Sequence, residues 1–343
     1  DYYRKGSKNR ISTPCTQIIA HGDTFRPVGI GSVRDKMTKL VVPVRPETEH
    51  KPRNTGLKCD YLGLGWVSRS MAWFADFRSE VREKTRASDL ALIFSVPVLL
   101  SLIFLLPQSI QASLILDYGN YSIFNLWSSA YVHRGFNHFS NNLGAYCVLI
   151  GPIYLLFVLA DERKLFRYTF LTLLLILPFV ISLSNIAALG SGTGAGFSGI
   201  GSALFGLLPV SLFLFIHNRV SEDIEPAHGV VLFLIAVAII TQIYAGVTAA
   251  AGILLFAALL TIYDISQIGL EEVREAAAEL SSMEGYFELV MITGLLFLLS
   301  PLMLFPQNIA QDGTTVNILS HYLGLLIGFF GPTIYLDYRR RRQ

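Results

Sequence analysis

The sequence predicts an all-α fold, a polytopic membrane protein built as a bundle of about eight transmembrane helices. Of its 343 residues, 52% are hydrophobic and 15% are charged, whereas about a quarter of an average soluble domain is charged. The mean hydropathy is +0.50. From Leu90 onward, long uncharged apolar runs approach the ~20 residues that a helix needs to cross a ~30 Å hydrocarbon core. These observations exclude an ordinary water-soluble globule.

The first 87 residues differ in composition from the rest of the chain. They carry 17 basic and 9 acidic side chains, whereas the remaining residues carry 10 and 16. Their apolar runs are short and lack a period of two or 3.6, which predicts a basic, mostly disordered segment. Such a segment could bind anionic lipid headgroups or nucleic acid, but a solvated tail without a specific partner is the simpler interpretation. We therefore expect this segment over 1–87, a transmembrane domain over 88–338 and a basic tail over 339–343.

The transmembrane helices follow this segment in order. They are predicted at Leu90 to Leu106, His138 to Ala160, Tyr168 to Leu189, Phe197 to Ile216, Gly229 to Tyr244, Val247 to Tyr263, Leu289 to Phe305 and Val316 to Leu336. The apolar stretch over 229–263 is too long for one helix without a large tilt, and Ala245-Gly246 is its only interruption. We therefore predict a helical hairpin there. The charged stretch from Glu271 to Glu284 predicts a surface helix.

The distribution of basic residues gives the expected orientation, because Lys and Arg accumulate in short cytoplasmic loops. With the N-terminus inside, eight helices leave only Arg134 on the outer side. The basic residues expected inside are Arg163, Lys164, Arg167, Arg219, Arg274 and Arg339 to Arg342. We therefore expect a multi-pass protein of a prokaryotic cell membrane, with both termini in the cytoplasm.

Three polar clusters stand out within the apolar helices, where polar groups are costly and often functional. They are His133, His138 and Asn142 at the second helix, Gly196, Ser198 and Gly199 at the fourth, and His321, Gly324 and Gly328 at the last. These three helices run in the same direction, so the clusters are expected at one level of the membrane. His321 and its two glycines share a helix face, which lets that face approach a neighbouring helix closely.

A serine and a histidine facing each other across such a contact suggest nucleophilic catalysis. A serine hydroxyl is a poor nucleophile until a base within hydrogen-bond reach removes its proton, and histidine suits that role near neutral pH. The tetrahedral intermediate also needs hydrogen-bond donors for its oxyanion. His138, Asn142 and the backbone N–H of Ser198 are the candidates. The alternative is that Ser198 and His321 are only packing groups with satisfied hydrogen bonds.

The three clusters resemble the motifs of the rhomboid intramembrane serine proteases. The second helix carries His-x₄-His-x₃-Asn, the fourth opens with Gly-x-Ser-Gly, and the last carries His-x₂-Gly-x₃-Gly. The resemblance covers roughly residues 90–338 and implies a rhomboid-like six-helix core with two additional helices. It implies Ser198 as nucleophile and His321 as general base, with His138 and Asn142 in the oxyanion hole and no cofactor or metal. The remaining motif residues, His133 and the four glycines, would support this site.

The function that the resemblance implies is cleavage of other membrane proteins within or beside a transmembrane helix. The partners expected are therefore transmembrane substrates and the lipid bilayer, and not nucleic acid. An alternative is a catalytically silent rhomboid-like protein that binds membrane-protein clients.

The chain departs from the family pattern in three ways, of which the first is three helices instead of one between the serine and histidine helices. Where the family commonly has Trp-Arg in the first outer loop, this chain has Phe124 and Asn125. Four residues after the nucleophile, where the family often has a tyrosine packed on the catalytic histidine, it has Ser202. Another group must then orient His321, and Tyr322 and Phe205 are the candidates.

Overall fold

A computed structural model describes residues 75–308, 310–311 and 314–342. The first helix, α1, covers 75–84. The helices that follow are α2 Ala87–Phe104, α3 Gln108–Leu114, α4 Ile123–Ser128, α5 Phe136–Leu159, α6 Arg163–Leu175, α7 Leu177–Leu189, α8 Ser198–Arg219, α9 Val230–Ala245, α10 Val247–Ile268, α11 Leu270–Ser282, α12 Tyr286–Leu304 and α13 Ile318–Arg340. Two antiparallel pairs join β1 Leu116–Asp117 to β2 Thr193–Gly194, and β3 Ala310–Gln311 to β4 Thr314–Thr315.

The fold is an all-α polytopic bundle. Within the described residues, eight helical stretches are long and apolar enough to cross a membrane. They are Ala87–Phe104, Phe136–Leu159, Arg163–Leu189, Ser198–Arg219, Pro226–Ala245, Val247–Ile268, Tyr286–Leu304 and Ile318–Arg340. The number confirms the predicted eight helices, and each overlaps its predicted position.

The predicted hairpin between the fifth and sixth spans is confirmed. α9 and α10 meet at Gly246, whose φ of +85° lies in a region that favours glycine because it has no Cβ. The third span begins earlier than predicted and divides into α6 and α7 at Ile176. Pro178 in the first turn of α7 accounts for the division, because proline has no N–H to continue the hydrogen bonding of α6. The predicted surface helix is α11.

α8 forms the centre of the bundle. Of its most apolar 18-residue stretch, 89% of the residues are buried, whereas only 11% are buried in the corresponding stretch of α10. α13, α5 and α12 all pack against α8, and α13 does so over most of its length. Small residues such as Gly199, Ala203 and Gly206 make this possible, because backbones can approach closely where side chains are small. The central position of α8 fixes the level of Ser198, its first residue.

The helix α1 differs from the prediction, because residues 75–84 belong to the segment expected to be disordered. Phe77 packs edge-on against Tyr286, with ring centroids 5.0 Å apart. Glu80 accepts hydrogen bonds from Arg219 at 2.6 and 3.1 Å. Partial burial alone would raise the pKa of Glu80, but the hydrogen bonds from Arg219, Lys84 and Tyr286 lower it to about 2. These long-range contacts hold α1 to the bundle, and residues 1–74 of the predicted segment lie outside the described residues.

The loop between α2 and α5 is anchored at Asn125, one of the two residues that stand where the rhomboid pattern has Trp-Arg. Asn125 closes a capping box with Ser122 at the start of α4, and its side-chain amide also donates to the Ser113 carbonyl at 2.8 Å. Phe124 beside it is exposed. Earlier in the loop, the β1–β2 pair and the hydrogen bond from Tyr118 N–H to Gly192 O at 2.9 Å attach the glycine-rich stretch before α8.

Candidate functional site

α8 and α13 meet in backbone contact beside Ser198 and His321. A Cβ at Gly324 would overlap the Gly199 carbonyl oxygen, and one at Gly328 would overlap the Ala203 carbonyl oxygen. From α8, a Cβ at Gly206 would overlap the Leu325 carbonyl oxygen. The predicted close approach of the small-residue faces is therefore present, with α13 lying on α8 from its first turn onward.

A cavity of about 410 Å³ lies at the end of the bundle where α5, α8 and α13 begin. The predicted site residues that line it are Ser198, His321, His138, Asn142, Gly196 and Gly199. The remaining predicted residues, His133, Gly324 and Gly328, are not among the residues that line it. Its rim includes Arg134 and Asn137, which are exposed, so water can reach the cavity from this end. The structure thus brings the three polar clusters together at one level.

His321 is oriented by groups that the sequence analysis did not identify. Its Nδ1 hydrogen-bonds to the carbonyl oxygen of Leu304, the last residue of α12. Because a carbonyl can only accept, Nδ1 carries the proton and Nε2 is left as the basic nitrogen. The ring of Phe305 packs edge-on against His321 at 5.5 Å.

The two candidates for orienting His321 were wrong. Phe205 is fully buried and packs against Phe297, with ring centroids 5.1 Å apart. Tyr322 packs against Phe305, with ring centroids 5.5 Å apart, and the ring against His321 is that of Phe305. The groups that contact the His321 ring therefore come from the end of α12, over a hundred residues from Ser198 in sequence.

Gly196 lets His138 lie directly against the backbone before Ser198. Its φ is +125°, which favours glycine. A Cβ there would come within 2.6 Å of both Cε1 and Nε2 of His138. The Gly196 N–H donates to the Ser129 carbonyl at 3.0 Å, which fixes the peptide in this position. The first glycine of Gly-x-Ser-Gly is thus required both for backbone conformation and for space beside the histidine.

His133 supports the site from behind. It is 1% exposed, its Nε2 accepts a hydrogen bond from the Phe197 N–H at 3.4 Å, and its ring lies edge-on to His138 at 5.0 Å. Burial lowers the pKa of His133 to about 3, and the neighbouring His138 contributes to the same shift. A neutral His133 can keep accepting from Phe197, so it holds the peptide next to Ser198 across the physiological pH range.

This burial predicts acid sensitivity of the fold. Below pH 6.5 the unfolded chain protonates His133 and the folded chain does not, so stability is complete above that pH and falls as the pH drops toward 3. The slope is about 1.4 kcal/mol per pH unit for one such group. Thermal unfolding of wild type and His133→Gln between pH 7.5 and 4.5 should show a shallower pH dependence in the variant. Equal pH dependence of the two proteins would contradict this role.

Two groups supply hydrogen-bond donors near Ser198. Ser198 is the first residue of α8, so its N–H has no intrahelical acceptor. The side-chain amide of Asn142 donates one hydrogen to the His138 carbonyl at 3.0 Å and retains a second. Both lie on the wall of the cavity with His138.

Asn185 on α7 is a site residue that the sequence analysis missed. It lines the cavity and is 4% exposed. Its Nδ2 donates to Ser320 Oγ at 2.8 Å, beside His321, while its Oδ1 has no hydrogen-bond partner among the described residues. A buried acceptor without a partner is costly, so this oxygen is a position for a water molecule or a substrate N–H. The signal that could have identified Asn185 was its amide side chain within the otherwise apolar third span.

Comparisons with known proteins add no relative. No family model, no curated protein and no solved structure matches the chain. The choice of function therefore depends on the residues that line the cavity and on their resemblance to the rhomboid motifs.

Proposed function

We propose that the chain is a rhomboid-like intramembrane serine endopeptidase, with Ser198 as nucleophile and His321 as general base. One observation carries the proposal. Ser198 and His321 lie in the first turns of two helices in backbone contact and line the same cavity. The hydrogen bond to Leu304 leaves Nε2 of His321 as its basic nitrogen. A packing serine and a satisfied histidine would not need a polar cavity with spare hydrogen-bond donors.

The first half of the proposed reaction forms an acyl-enzyme. Ser198 Oγ attacks the carbonyl carbon of the scissile peptide while His321 Nε2 takes the hydroxyl proton. The negative charge on the former carbonyl oxygen is stabilised by the Ser198 N–H and the side chains of His138 and Asn142. His321 then gives its proton to the leaving amine as the C–N bond breaks, and the substrate's acyl group remains as an ester on Ser198.

The second half releases the acid product. A water molecule from the open end of the cavity attacks the ester while His321 takes one of its protons. The C–O bond to Ser198 breaks, and His321 returns the proton to the serine oxygen. The Leu304 carbonyl stabilises the imidazolium that forms in each half, because it accepts from Nδ1 throughout.

The cavity also suggests the form of the substrate. Apolar groups such as Ile181 and Met303 line it together with polar ones. A peptide within an intact helix has its carbonyl in an intrahelical hydrogen bond and screened by side chains. A transmembrane substrate must therefore unwind locally to place one peptide carbonyl against Ser198.

A covalent probe tests the activation of Ser198 without knowledge of the substrate. We expect a fluorophosphonate to label the full chain in detergent, with the added mass on the peptide that contains Ser198. Labelling should disappear in His321→Ala, because an unactivated serine reacts slowly with such probes. Labelling of wild type and His321→Ala at equal rates, or of neither, would contradict the dyad, and the second result would favour the client-binding alternative.

A further inference from the structure

A second cavity lies at the opposite end of the bundle from Ser198. It is an open depression of about 560 Å³, and it lies where α1 joins α2, where α5 turns into α6 and where α13 ends. Among the described residues, five basic and three acidic side chains line it. They are Lys84, Arg86, Arg163, Lys164 and Arg339, and Glu83, Asp161 and Glu162. The catalytic proposal makes no use of this cavity.

The acidic residues do not neutralise the basic ones. Asp161 is already paired with Lys84, at 2.7 Å, and Glu162 is paired with Arg339. Glu83, the third acidic residue, also counts against the basic groups, so five basic and three acidic side chains leave an excess of two positive charges. Arg86 and Lys164 have no ion-pair partner in the described part of the chain.

Arg163 is only weakly paired. Its guanidinium lies 3.9 Å from the Asp89 carboxylate, which also binds Arg167. One carboxylate cannot compensate two guanidinium groups. The cavity therefore keeps an excess of positive charge and is suited to an anion.

The start of α6 adds backbone donors to this charge. Arg163, Lys164 and Leu165 form its first turn and line the cavity. No side chain in the described residues caps this helix start, so its first N–H groups are free to donate. Free N–H groups together with the helix dipole favour phosphate at such a position.

Two tyrosines place the cavity at the depth of lipid headgroups. Tyr168 lies one turn beyond Lys164 into its membrane-spanning helix, and Tyr335 lies one turn before Arg339 in its own. They line the cavity and remain 67% and 48% exposed. Exposed tyrosines at the ends of transmembrane helices mark the membrane interface, so the basic groups one turn farther out lie at the level of lipid phosphates.

We propose that this cavity binds the phosphate headgroup of an anionic phospholipid, with Arg86, Arg163 and Lys164 as its main contacts. Free phosphate shares the same chemistry, but the tyrosines and the position at the ends of the spans favour a lipid whose acyl chains continue along α6 and α13. The proposal does not depend on the activity of Ser198.

Native mass spectrometry of the full chain in neutral detergent tests this site. Phosphatidylglycerol should bind saturably and at least about 10-fold more tightly than phosphatidylcholine. In Arg86→Gln/Lys164→Gln the affinity for phosphatidylglycerol should fall by about 10- to 30-fold, because each basic group near an anionic headgroup raises the affinity by about 3- to 5-fold. Both side chains are exposed, so the variant should unfold at the wild-type temperature.

A matched control removes two positive charges outside the cavity, Arg78→Gln/Arg274→Gln, and should bind phosphatidylglycerol as wild type does. The basic segment over 1–87 is otherwise unchanged in these proteins, so its attraction for anionic lipid affects all of them alike. Unchanged binding in Arg86→Gln/Lys164→Gln, or equal binding of the two lipids, would overturn the proposal. Inorganic phosphate that binds as tightly as phosphatidylglycerol would overturn the lipid assignment.

Discussion

Replacement of Ser198 by alanine should reduce cleavage of a membrane-anchored reporter by about 10⁴- to 10⁶-fold, the loss expected when a serine protease loses its nucleophile. The residue is half-buried on the cavity wall, so the loss of its hydroxyl removes the attacking atom and little packing. His321→Ala should cause a similar loss, and the double variant should be no worse than either single one, because the two residues act as a unit. Cleavage of the reporter in membranes, followed by gel electrophoresis, measures all three.

Ser202 is the matched control for this experiment. It lies one turn along the same face of α8, is fully buried, and its Oγ has no hydrogen-bond partner among the described residues. Because Ser202→Ala removes a buried hydroxyl that makes no hydrogen bond, it should be neutral or slightly stabilising. Reporter cleavage should continue in this variant at close to the wild-type rate. Equal activity of Ser198→Ala and Ser202→Ala would contradict the catalytic role of Ser198.

Most of the fold was accessible from the sequence because membrane spans leave long local signals. Eight apolar stretches appear at their predicted positions, and even the break at Gly246 could be located from one small-residue interruption. The level of the polar clusters followed from counting helices, since every second span runs in the same direction. These inferences use length, composition and order, which need no knowledge of which helices touch.

Contacts between distant segments were not accessible. The helix α1 looked disordered because its stabilising partners Arg219 and Tyr286 lie 139 and 206 residues from Glu80. The orientation of His321 was missed for a related reason. Leu304 contributes a backbone carbonyl, which every residue type has, so no side-chain pattern could mark it. The candidates Tyr322 and Phe205 followed the rhomboid family's use of an aromatic side chain close to the serine in sequence. The aromatic ring that packs on His321 here is Phe305, which follows the end of α12.

Substitution of Gly324 by alanine should separate the catalytic residues without removing either of them. The added Cβ would meet the Gly199 carbonyl oxygen, with the Ala203 N only 3.2 Å away. These neighbours belong to the backbone of α8, so no side chain can rotate to make room and α13 must move outward with His321. A displacement of about 1 Å at a catalytic group is sufficient to lower the rate by about 100-fold. Overpacking of this kind also destabilises a fold by about 1–3 kcal/mol.

Gly331→Ala is the matched control, because it adds the same methyl group to α13 without disturbing the contact with α8. A Cβ at Gly331 meets no described atom within 4 Å, so this variant should keep both its activity and its unfolding temperature. In Gly324→Ala, cleavage measured well below the unfolding temperature should still be about 100-fold slower than in Gly331→Ala, because folded molecules then carry the displaced helix. Equal activity of the two variants would show that the contact between α8 and α13 does not set the distance between Ser198 and His321. The expected difference would show that Gly324 sets the geometry of the proposed pair of Ser198 and His321.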